Sequence, residues 1–302
     1  MAIRDREPRR QTARVSSLDT THQSTVEPDQ IDDLGHMNVR YYGINAGAGT
    51  RALCERLGLP EPRVLSTYTR HHHEQMEGNQ LKVRSAILPG GERLRIYHEL
   101  RNRADDDLAA TFVHELDHAP TAAPDFVLPP YGAPRSLNLD TDALATAPTL
   151  ARVRELGLAN RKPRLIDRED TMGAETVPAA NYGSVLWGGD RMEDQESWVR
   201  VLPDGTRFAF VVMEQRVWFR LRPVALGTPV QTFRASLEAS EKIGRDIAWS
   251  FNTDTGEPIV VSETIDLCFN LTERRSMALP PAIRAQEGGN HPELAPGLRA
   301  AR

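Results

Sequence analysis

The chain has 302 residues, of which 39% are hydrophobic and 26% are charged, and its formal net charge is -5. This composition is typical of a globular protein large enough for two domains of about 120 to 140 residues. It excludes a basic footprint for nucleic acid, and no apolar run of about 18 residues predicts a membrane span. Cys54 and Cys268 stand in apolar surroundings, which predicts buried thiols in a reducing, cytoplasmic setting.

The first chemical signal is an ordered polar cluster within residues 26–43, after an N-terminal segment, residues 1–20, that we expect to be mobile. Asp32, Gly35, His36 and Asn38 form the sequence Asp-x-x-Gly-His-Met-Asn. A helix that begins near Asn38 would present unpaired backbone N–H groups and the positive end of its dipole. Such a helix start is suited to holding a carbonyl oxygen as it becomes an oxyanion.

The residue types in this loop suit acyl transfer. Asp32 would lie just outside the helix, where an ionised carboxylate can attack a carbonyl or activate water. His36 and Asn38 can donate hydrogen bonds that orient the carboxylate, the water or the loop, and Gly35 allows a tight turn. Taken singly, each residue is also explained as a helix cap or a turn residue. Their combination favours a catalytic site.

The motif resembles the signature of hotdog-fold thioesterases of the 4-hydroxybenzoyl-CoA thioesterase superfamily. Its pattern Val-x-Pro-x-x-Ile-Asp-x-x-Gly-His-Met-Asn-x-x-Tyr-Tyr is similar to a branch that includes betainyl-CoA thioesterases. The resemblance implies an α+β fold, with a curved antiparallel sheet wrapped around a central helix. It implies hydrolysis of an acyl-CoA, with acyl carrier protein as the alternative carrier, without a cofactor and with Asp32 as nucleophile or general base. Gly35, Val39, Tyr42 and Glu74 would contact the substrate.

The predicted elements of the first unit follow the motif. Small and apolar residues within 42–57 recur at every third or fourth position and so share one helix face, and glycine and proline within 58–60 supply the stop. Alternating residues then predict strands at 81–87 and 94–100, and a third run follows at 109–116. The run of three histidines before these strands offers too few ligand types to predict a metal site.

The second part of the chain repeats this pattern. Four pairs of residues recur in order at separations that grow from 138 to 149: Asp32 and Asp170, Tyr42 and Tyr182, Gly78 and Gly227, Asp117 and Asp266. This order predicts a duplication, with a second set of strands at 211–219, 230–237, 248–251 and 259–267. We therefore predict two tandem hotdog units, residues 21–125 and 161–280. A proline-rich connection at 126–160, with a short helix at 150–158, joins them, and a mobile tail, 281–302, follows.

The second unit keeps the loop aspartate but loses its neighbours. The first unit reads Gly-His-Met-Asn at residues 35–38, and the second reads Gly-Ala-Glu-Thr at 173–176. A carboxylate without orienting donors is poorly organised for acyl transfer. We expect one site, completed by the second unit, with Asp170 as a second nucleophile left as the alternative.

Two other functions remain open at this point. A hotdog hydratase or dehydratase of enoyl-CoA also uses acid and imidazole groups, but its motif places the Asp before the His on the helix itself. The other is a non-catalytic protein that binds an acyl thioester. The expected partner is an acyl-CoA rather than nucleic acid or membrane, and the resemblance allows a homo-oligomer formed through the sheets. The phosphates of coenzyme A would need basic residues nearby. The candidates are Arg40, Arg70, Arg220 and Arg222.

Overall fold

The computed structural model describes residues 18–32, 34–120, 126–178, 185–186, 199–220, 222–281 and 291–296. In these ranges the elements are β1 Asp19–Thr25, α1 Val39–Arg56, β2 Val64–His71, β3 Gln80–Leu88, β4 Arg95–Asn102, β5 Leu108–Leu116, α2 Leu150–Glu155, β6 Ala159–Asn160, β7 Arg164–Leu165, β8 Arg200–Val201, β9 Arg207–Phe219, β10 Pro229–Ala239, β11 Ile243–Asn252, β12 Pro258–Asn270 and β13 Arg275–Ser276. No helix in the described part of the chain has the length and apolar character needed to cross a bilayer.

All of these strands pair antiparallel in one sheet, in the order β1-β3-β4-β5-β2-β9-β12-β11-β10-β6, with β7, β8 and β13 at its margins. The two halves of the chain meet where β2 pairs with β9, so one hydrogen-bonded sheet runs through both. The five strands of the first half, numbered 1 to 5 along the chain, have the spatial order 1-3-4-5-2. The second half has the same spatial order when its strands β6, β9, β10, β11 and β12 are numbered 1 to 5.

Helix α1 lies against the sheet of the first half, as its residue pattern predicts. Asn38 caps its start, because the side-chain oxygen accepts a hydrogen bond of 3.0 Å from the N–H of Arg40. Gly58, with φ of +67°, follows its end. A Cβ atom at Gly49 would lie 2.7 Å from Cγ1 of Val83, so the helix approaches the sheet at a distance that only glycine allows. The buried helix residues are Tyr42, Asn45, Ala46, Gly49, Thr50, Leu53 and Cys54.

A chain of buried polar side chains lies under α1. The Thr50 hydroxyl is 2.8 Å from His98 Nε2 and 2.8 Å from His114 Nδ1, and His98 Nδ1 is 2.7 Å from the Ser85 hydroxyl. Burial lowers the pKa of His114 to about 4, and burial with the nearby His114 lowers the pKa of His98 well below its usual value. Both rings are therefore neutral at physiological pH.

The corresponding face of the second half carries acids instead. Asp246 accepts a hydrogen bond of 2.6 Å from Arg234, and the Thr264 hydroxyl donates to Asp266 at 3.1 Å. Burial, together with the charge of Asp246, raises the pKa of Asp266 to about 7. The central helix that a second hotdog unit implies would follow Pro178, where residues 179–184 and 187–198 lie outside the described part. Residues 185 and 186 are helical and buried. The carbonyl oxygen of Val185 accepts hydrogen bonds from the hydroxyls of Thr232 and Ser250.

The strand predictions from β3 to β5 and from β9 to β12 are confirmed, and α1 precedes the meander β3-β4-β5 as expected, but two strands of the first half are missing from the prediction. β1 precedes α1, and β2 lies between α1 and β3. Because β1 begins at Asp19, the predicted mobile segment of residues 1–20 extends two residues too far, and residues 1–17 lie outside the described part. The expected short helix in the connection is confirmed as α2, and β6 already belongs to the sheet.

Two further expectations need correction. Residues 291–296 of the predicted mobile tail dock on the second half, where the N–H of His291 donates to the Ser236 carbonyl at 2.7 Å. Asp117 and Asp266 are not equivalent, because Asp117 follows β5 with an exposed side chain, whereas Asp266 is buried within β12. Tyr182, which was matched to Tyr42, lies outside the described residues. Both cysteines are buried free thiols, as predicted.

Candidate active site

The motif residues form a tight loop immediately before α1. The N–H of Asp32 donates to the His36 carbonyl and the N–H of Gly35 donates to the Asp32 carbonyl, both at 2.9 Å. Gly35 has φ of +85°, a backbone conformation that side chains other than glycine rarely adopt. Ile31 and Met37 close the loop with a single bridge. The loop therefore returns the chain to the helix start and brings the side chains of Asp32 and His36 together.

Asp32 is oriented but remains open to solvent. Its Oδ1 accepts a hydrogen bond of 2.9 Å from the N–H of Leu34, and its Oδ2 lies 3.4 Å from Nδ1 of His36. The side chains of Asp32 and His36 keep 24% and 19% of their exposure. A carboxylate held in this way has a fixed direction and can still reach a water molecule or a substrate.

At the start of α1, the N–H of Val39 lacks an acceptor within the part of the chain that the structure describes. The N–H of Asn38 donates to the Gln30 carbonyl at 2.9 Å, and that of Tyr41 donates to the Asn38 carbonyl at 2.9 Å. The N–H of Arg40 donates to the side-chain oxygen of Asn38. The N–H of Val39 has no acceptor among the described residues, and Val39 is 53% exposed. The oxyanion donor expected near Asn38 is therefore best matched by Val39.

Tyr42, expected to contact the substrate, is buried and supports the loop between β2 and β3. Its hydroxyl accepts from the N–H of Gln75 at 3.0 Å and donates to the His73 carbonyl at 3.3 Å. The Gln75 carbonyl in turn accepts from the N–H of Met37 at 2.7 Å. Burial raises the pKa of Tyr42 far above its usual value, so this phenol stays protonated. Tyr42 thus holds two loops together instead of lining an open surface.

Glu74 lies at the edge of the same site. Its Oε1 is 3.9 Å from Nε2 of His36, and its Oε2 is 2.7 Å from Nη2 of Arg274. Arg274 belongs to the turn between β12 and β13, in the second half of the chain. Sequence reasoning missed this residue, because no local pattern marks a contact between residues 200 positions apart.

The second half repeats the backbone frame of this site. In the first half the N–H groups of Val26, Gly78 and Met37 donate to the carbonyls of Asn79, Val26 and Gln75. In the second half the N–H groups of Ile166, Gly227 and Val177 donate in the same way to the carbonyls of Thr228, Ile166 and Val224. Gly35 and Gly173 also share a positive φ, of +85° and +81°. The two loops thus have related supports.

The carboxylate of the second loop is engaged differently. Asp170 is buried and forms a two-point ion pair with Arg164, at 2.5 and 3.0 Å. It also accepts a hydrogen bond of 2.9 Å from the N–H of Asp167. A carboxylate held by a bidentate guanidinium and a backbone N–H has its oxygens occupied.

The candidate basic residues have diverse positions. Arg70 donates to the carbonyls of Pro130 and Ala133 in the connection, and Arg220 pairs with Glu257. Arg40, in the first turn of α1, lies over the Tyr41 ring. Of these three residues, Arg40 is the one that directly follows the motif in the sequence. Within the described ranges, no group of three or more His, Cys, Asp or Glu side chains could hold a metal ion.

Comparison with solved structures finds thioesterases of similar fold. The 12:0-ACP thioesterase from Umbellularia californica superposes with a TM-score of 0.56 and 11% identity, covering 82% of this chain and 93% of that chain. An acyl-ACP thioesterase from Bacteroides thetaiotaomicron gives 0.55 and 10%, covering 81% and 96%. No protein-family model and no curated protein matches the sequence. At these identities the similarity establishes the fold, a large antiparallel sheet with few helices, as in hotdog thioesterases.

Proposed function

We propose that this protein is an acyl-thioester hydrolase made of two tandem hotdog units, with one catalytic site in the first. The duplication is supported by the shared strand order and by the matching hydrogen bonds around the two loops. The observation that carries the function is the solvent-accessible Asp32 carboxylate, placed next to His36 and just before a helix start whose Val39 N–H is unpaired among the described residues.

Each group has a role in thioester hydrolysis. As general base, Asp32 takes a proton from water while the water oxygen attacks the thioester carbon. The Val39 N–H and the dipole of α1 stabilise the negative charge that develops on the carbonyl oxygen. Collapse of the intermediate breaks the C–S bond and releases a carboxylic acid and a thiol. The alternative is attack by Asp32 itself: the C–S bond breaks, the thiolate leaves, and water hydrolyses the resulting anhydride to release the acid and restore the carboxylate.

The supporting residues fix this geometry. His36 orients Asp32 through its Nδ1, Gly35 permits the loop, and Asn38 caps the helix that carries the oxyanion donor. Tyr42 joins the motif loop to the loop after β2. Gly35 and Val39 would lie beside the substrate, whereas Tyr42 would act from below the surface. We propose no cofactor.

We propose coenzyme A as the thiol carrier, on the basis of the motif and its similarity to the betainyl-CoA thioesterase branch. The two solved relatives described above act on acyl-ACP according to their names, so acyl carrier protein is the alternative carrier. Arg40 is the cation nearest in sequence to the oxyanion donor and is suited to a phosphate of either carrier. The buried thiols of Cys54 and Cys268 favour a reducing, cytoplasmic setting.

The hydratase alternative is less compatible with this geometry. Hotdog hydratases resemble one another in carrying the Asp and His on the central helix, whereas Asp32 and His36 both lie in the loop before α1. A non-catalytic binding protein would not need a carboxylate and an imidazole facing each other beside the Val39 N–H, which lacks an acceptor in the described ranges.

Release of free thiol from a panel of short, polar, aromatic and long-chain acyl-CoAs tests the proposal. The wild-type protein should hydrolyse at least one class, and the folded Asp32→Asn variant should lose that activity. An enoyl-CoA added to the same panel should give no hydrated product. Hydration without thiol release would identify a hydratase, and tight binding without turnover would identify a binding protein.

A further inference from the structure

A series of polar contacts links the second half of the chain to the catalytic carboxylate. Arg274 Nη2 lies 2.7 Å from Glu74 Oε2, Glu74 Oε1 lies 3.9 Å from His36 Nε2, and His36 Nδ1 lies 3.4 Å from Asp32 Oδ2. Both ring nitrogens of His36 therefore face a carboxylate. The Glu74 carboxylate is also paired with Arg274, which belongs to the second half.

The turn that carries Arg274 has a defined structure. The Asn270 side chain accepts hydrogen bonds of 2.9 Å from the N–H groups of Thr272 and Glu273. Arg274 has φ of +50°, in the region that favours glycine, yet a long cationic side chain occupies the position. The neighbouring Arg275 points elsewhere and pairs with Glu273 at 2.6 Å. Of two adjacent arginines, only Arg274 reaches the site.

The Arg274–Glu74 pair is not required to hold the loop after β2. The side chain of Arg274 is 65% exposed and that of Glu74 is 39% exposed, and exposed pairs add little to folding stability. The loop is fastened independently through Gln75, which bonds to Tyr42, Met37 and the Asn102 amide. Loss of the pair would therefore leave the loop in place and free the Glu74 carboxylate to change direction.

We propose that Arg274 is a positioning residue for the site of the first half, acting through Glu74 on the orientation of the His36 ring. This inference rests on the proposed hydrolase function. It gives the second half a specific role: Arg274 directs Glu74 toward His36, and His36 keeps Asp32 aligned for attack. Glu74 and Arg274 act through His36 and take no part in bond making.

The test compares Arg274→Ala with Arg275→Ala, which removes the adjacent exposed arginine at the start of β13. Arg274→Ala should lower kcat about tenfold with little change in KM, because misorientation of a catalytic group affects the transition state more than substrate binding. Arg275→Ala should retain wild-type kinetics, and Arg274→Lys should recover part of the loss. Equal losses in the two alanine variants would indicate a general effect on the turn and would overturn the proposal.

A double variant shows whether Glu74 transmits the effect. Glu74→Gln should itself lower kcat, and adding Arg274→Ala to it should produce little further loss, because coupled residues are non-additive. Independent, multiplicative losses would contradict the proposed route through Glu74.

A second substrate separates positioning from binding of the carrier phosphates. The same acyl group is offered as its coenzyme A thioester and as its N-acetylcysteamine thioester, which has no phosphate. Arg274→Ala should lose the same factor in kcat on both. A loss that appears only with coenzyme A, and mainly in KM, would make Arg274 a phosphate ligand and would overturn the proposal.

A measurement without substrate separates failure of this inference from failure of the proposed function. The NMR signals of the His36 ring should change in Arg274→Ala and in Glu74→Gln but stay unchanged in Arg275→Ala. A wild-type protein that hydrolyses no thioester would refute the proposed function while leaving this link measurable. Unchanged His36 signals in Arg274→Ala would refute the link even in an active enzyme.

Discussion

The loops that hold Asp32 and Asp170 have related supports but place their carboxylates in different surroundings. Asp32 accepts one backbone hydrogen bond and keeps its other oxygen near His36, with access to solvent. Asp170 is buried and bound at both oxygens by Arg164. The same backbone frame therefore holds a solvent-accessible carboxylate in one half and a buried, ion-paired carboxylate in the other.

The interiors of the two halves differ in a parallel way. The first half buries two neutral imidazoles, His98 and His114, under α1. The second half buries a pair of carboxyl groups, Asp246 and Asp266, beside Arg234. Burial lowers the pKa values of the histidines and raises the pKa of Asp266. The contributions of the two halves to folding stability should therefore change in opposite directions as pH falls.

The largest expected effect on stability is at Asp170. Asp170→Asn breaks the two-point ion pair between the buried Asp170 carboxylate and Arg164, which should reduce the free energy of unfolding by about 3 kcal/mol. Chemical denaturation measures this loss. Asp32→Asn, at a partly exposed site, should change stability far less, and a reversed ranking would contradict the assignment of structural and catalytic roles.

The largest expected effect on activity is at Asp32. Asp32→Asn preserves the shape but removes the negative charge needed for attack, so kcat/KM should fall by at least about 100-fold. Initial rates of thiol release, corrected for the folded fraction, check this. Asp170→Asn should retain most activity per folded molecule. If it is the more damaging substitution, the catalytic site lies in the second half.

A smaller effect is expected at His36, which the second loop lacks. His36→Ala should lower kcat by about tenfold or more with little change in KM, because an orienting group acts mainly on the transition state. Steady-state kinetics over a range of substrate concentrations separate the two constants. A change confined to KM would place His36 in substrate recognition.

The buried acid pair of the second half should make stability fall as pH rises. The pKa of Asp266 is raised to about 7, so between pH 4 and 7 the folded state binds a proton that the unfolded state releases. This contribution is present at low pH and is lost as pH rises through about 7. Asp266→Asn should remove this trend. The difference in the free energy of unfolding between pH 8 and pH 5 should become more favourable by about 1–3 kcal/mol in the variant than in wild type.

The buried histidines of the first half should make stability fall as pH decreases. The pKa of His114 is lowered to about 4, so below pH 6.5 the unfolded state takes up a proton that the folded state excludes. This contribution is present above pH 6.5 and is lost as pH falls toward 4, by an amount of about 1–3 kcal/mol at pH 5. Asp266 opposes this trend, so the comparison is made in its absence. As pH decreases, the free energy of unfolding of Asp266→Asn should fall more steeply than that of the double variant Asp266→Asn with His114→Gln.

The sequence predicts the long inner strands and α1 because their apolar residues follow the periods of a strand and a helix. It does not predict β1 and β2. β1 is an edge strand with the composition Asp-Thr-Thr-His-Gln-Ser-Thr, and its apolar content is too low for an alternating signal. β2 is rich in Ser and Thr, and its burial comes from strands β5 and β9, which belong to remote parts of the chain.

The candidate site divides in the same way. The loop of Asp32, Gly35, His36 and Asn38 is local, so the spacing of its residues predicts their proximity. That the Val39 N–H has no acceptor in the described part of the chain depends on which neighbouring groups are already bound, and the contact of Arg274 depends on how the two halves join. Neither property belongs to a single stretch of sequence.

The ladder between β2 and β9 has a consequence for molecular motion. Five residue pairs, Ser66–Arg70 opposite Glu214–Trp218, cross the boundary between the halves, and Val64 packs against the apolar cores on both sides of it. A clamshell opening of the two halves would break these hydrogen bonds and expose both cores at once, so the halves form a single mechanical unit. We therefore expect changes of shape at the candidate site to be local to the motif loop and the loop after β2.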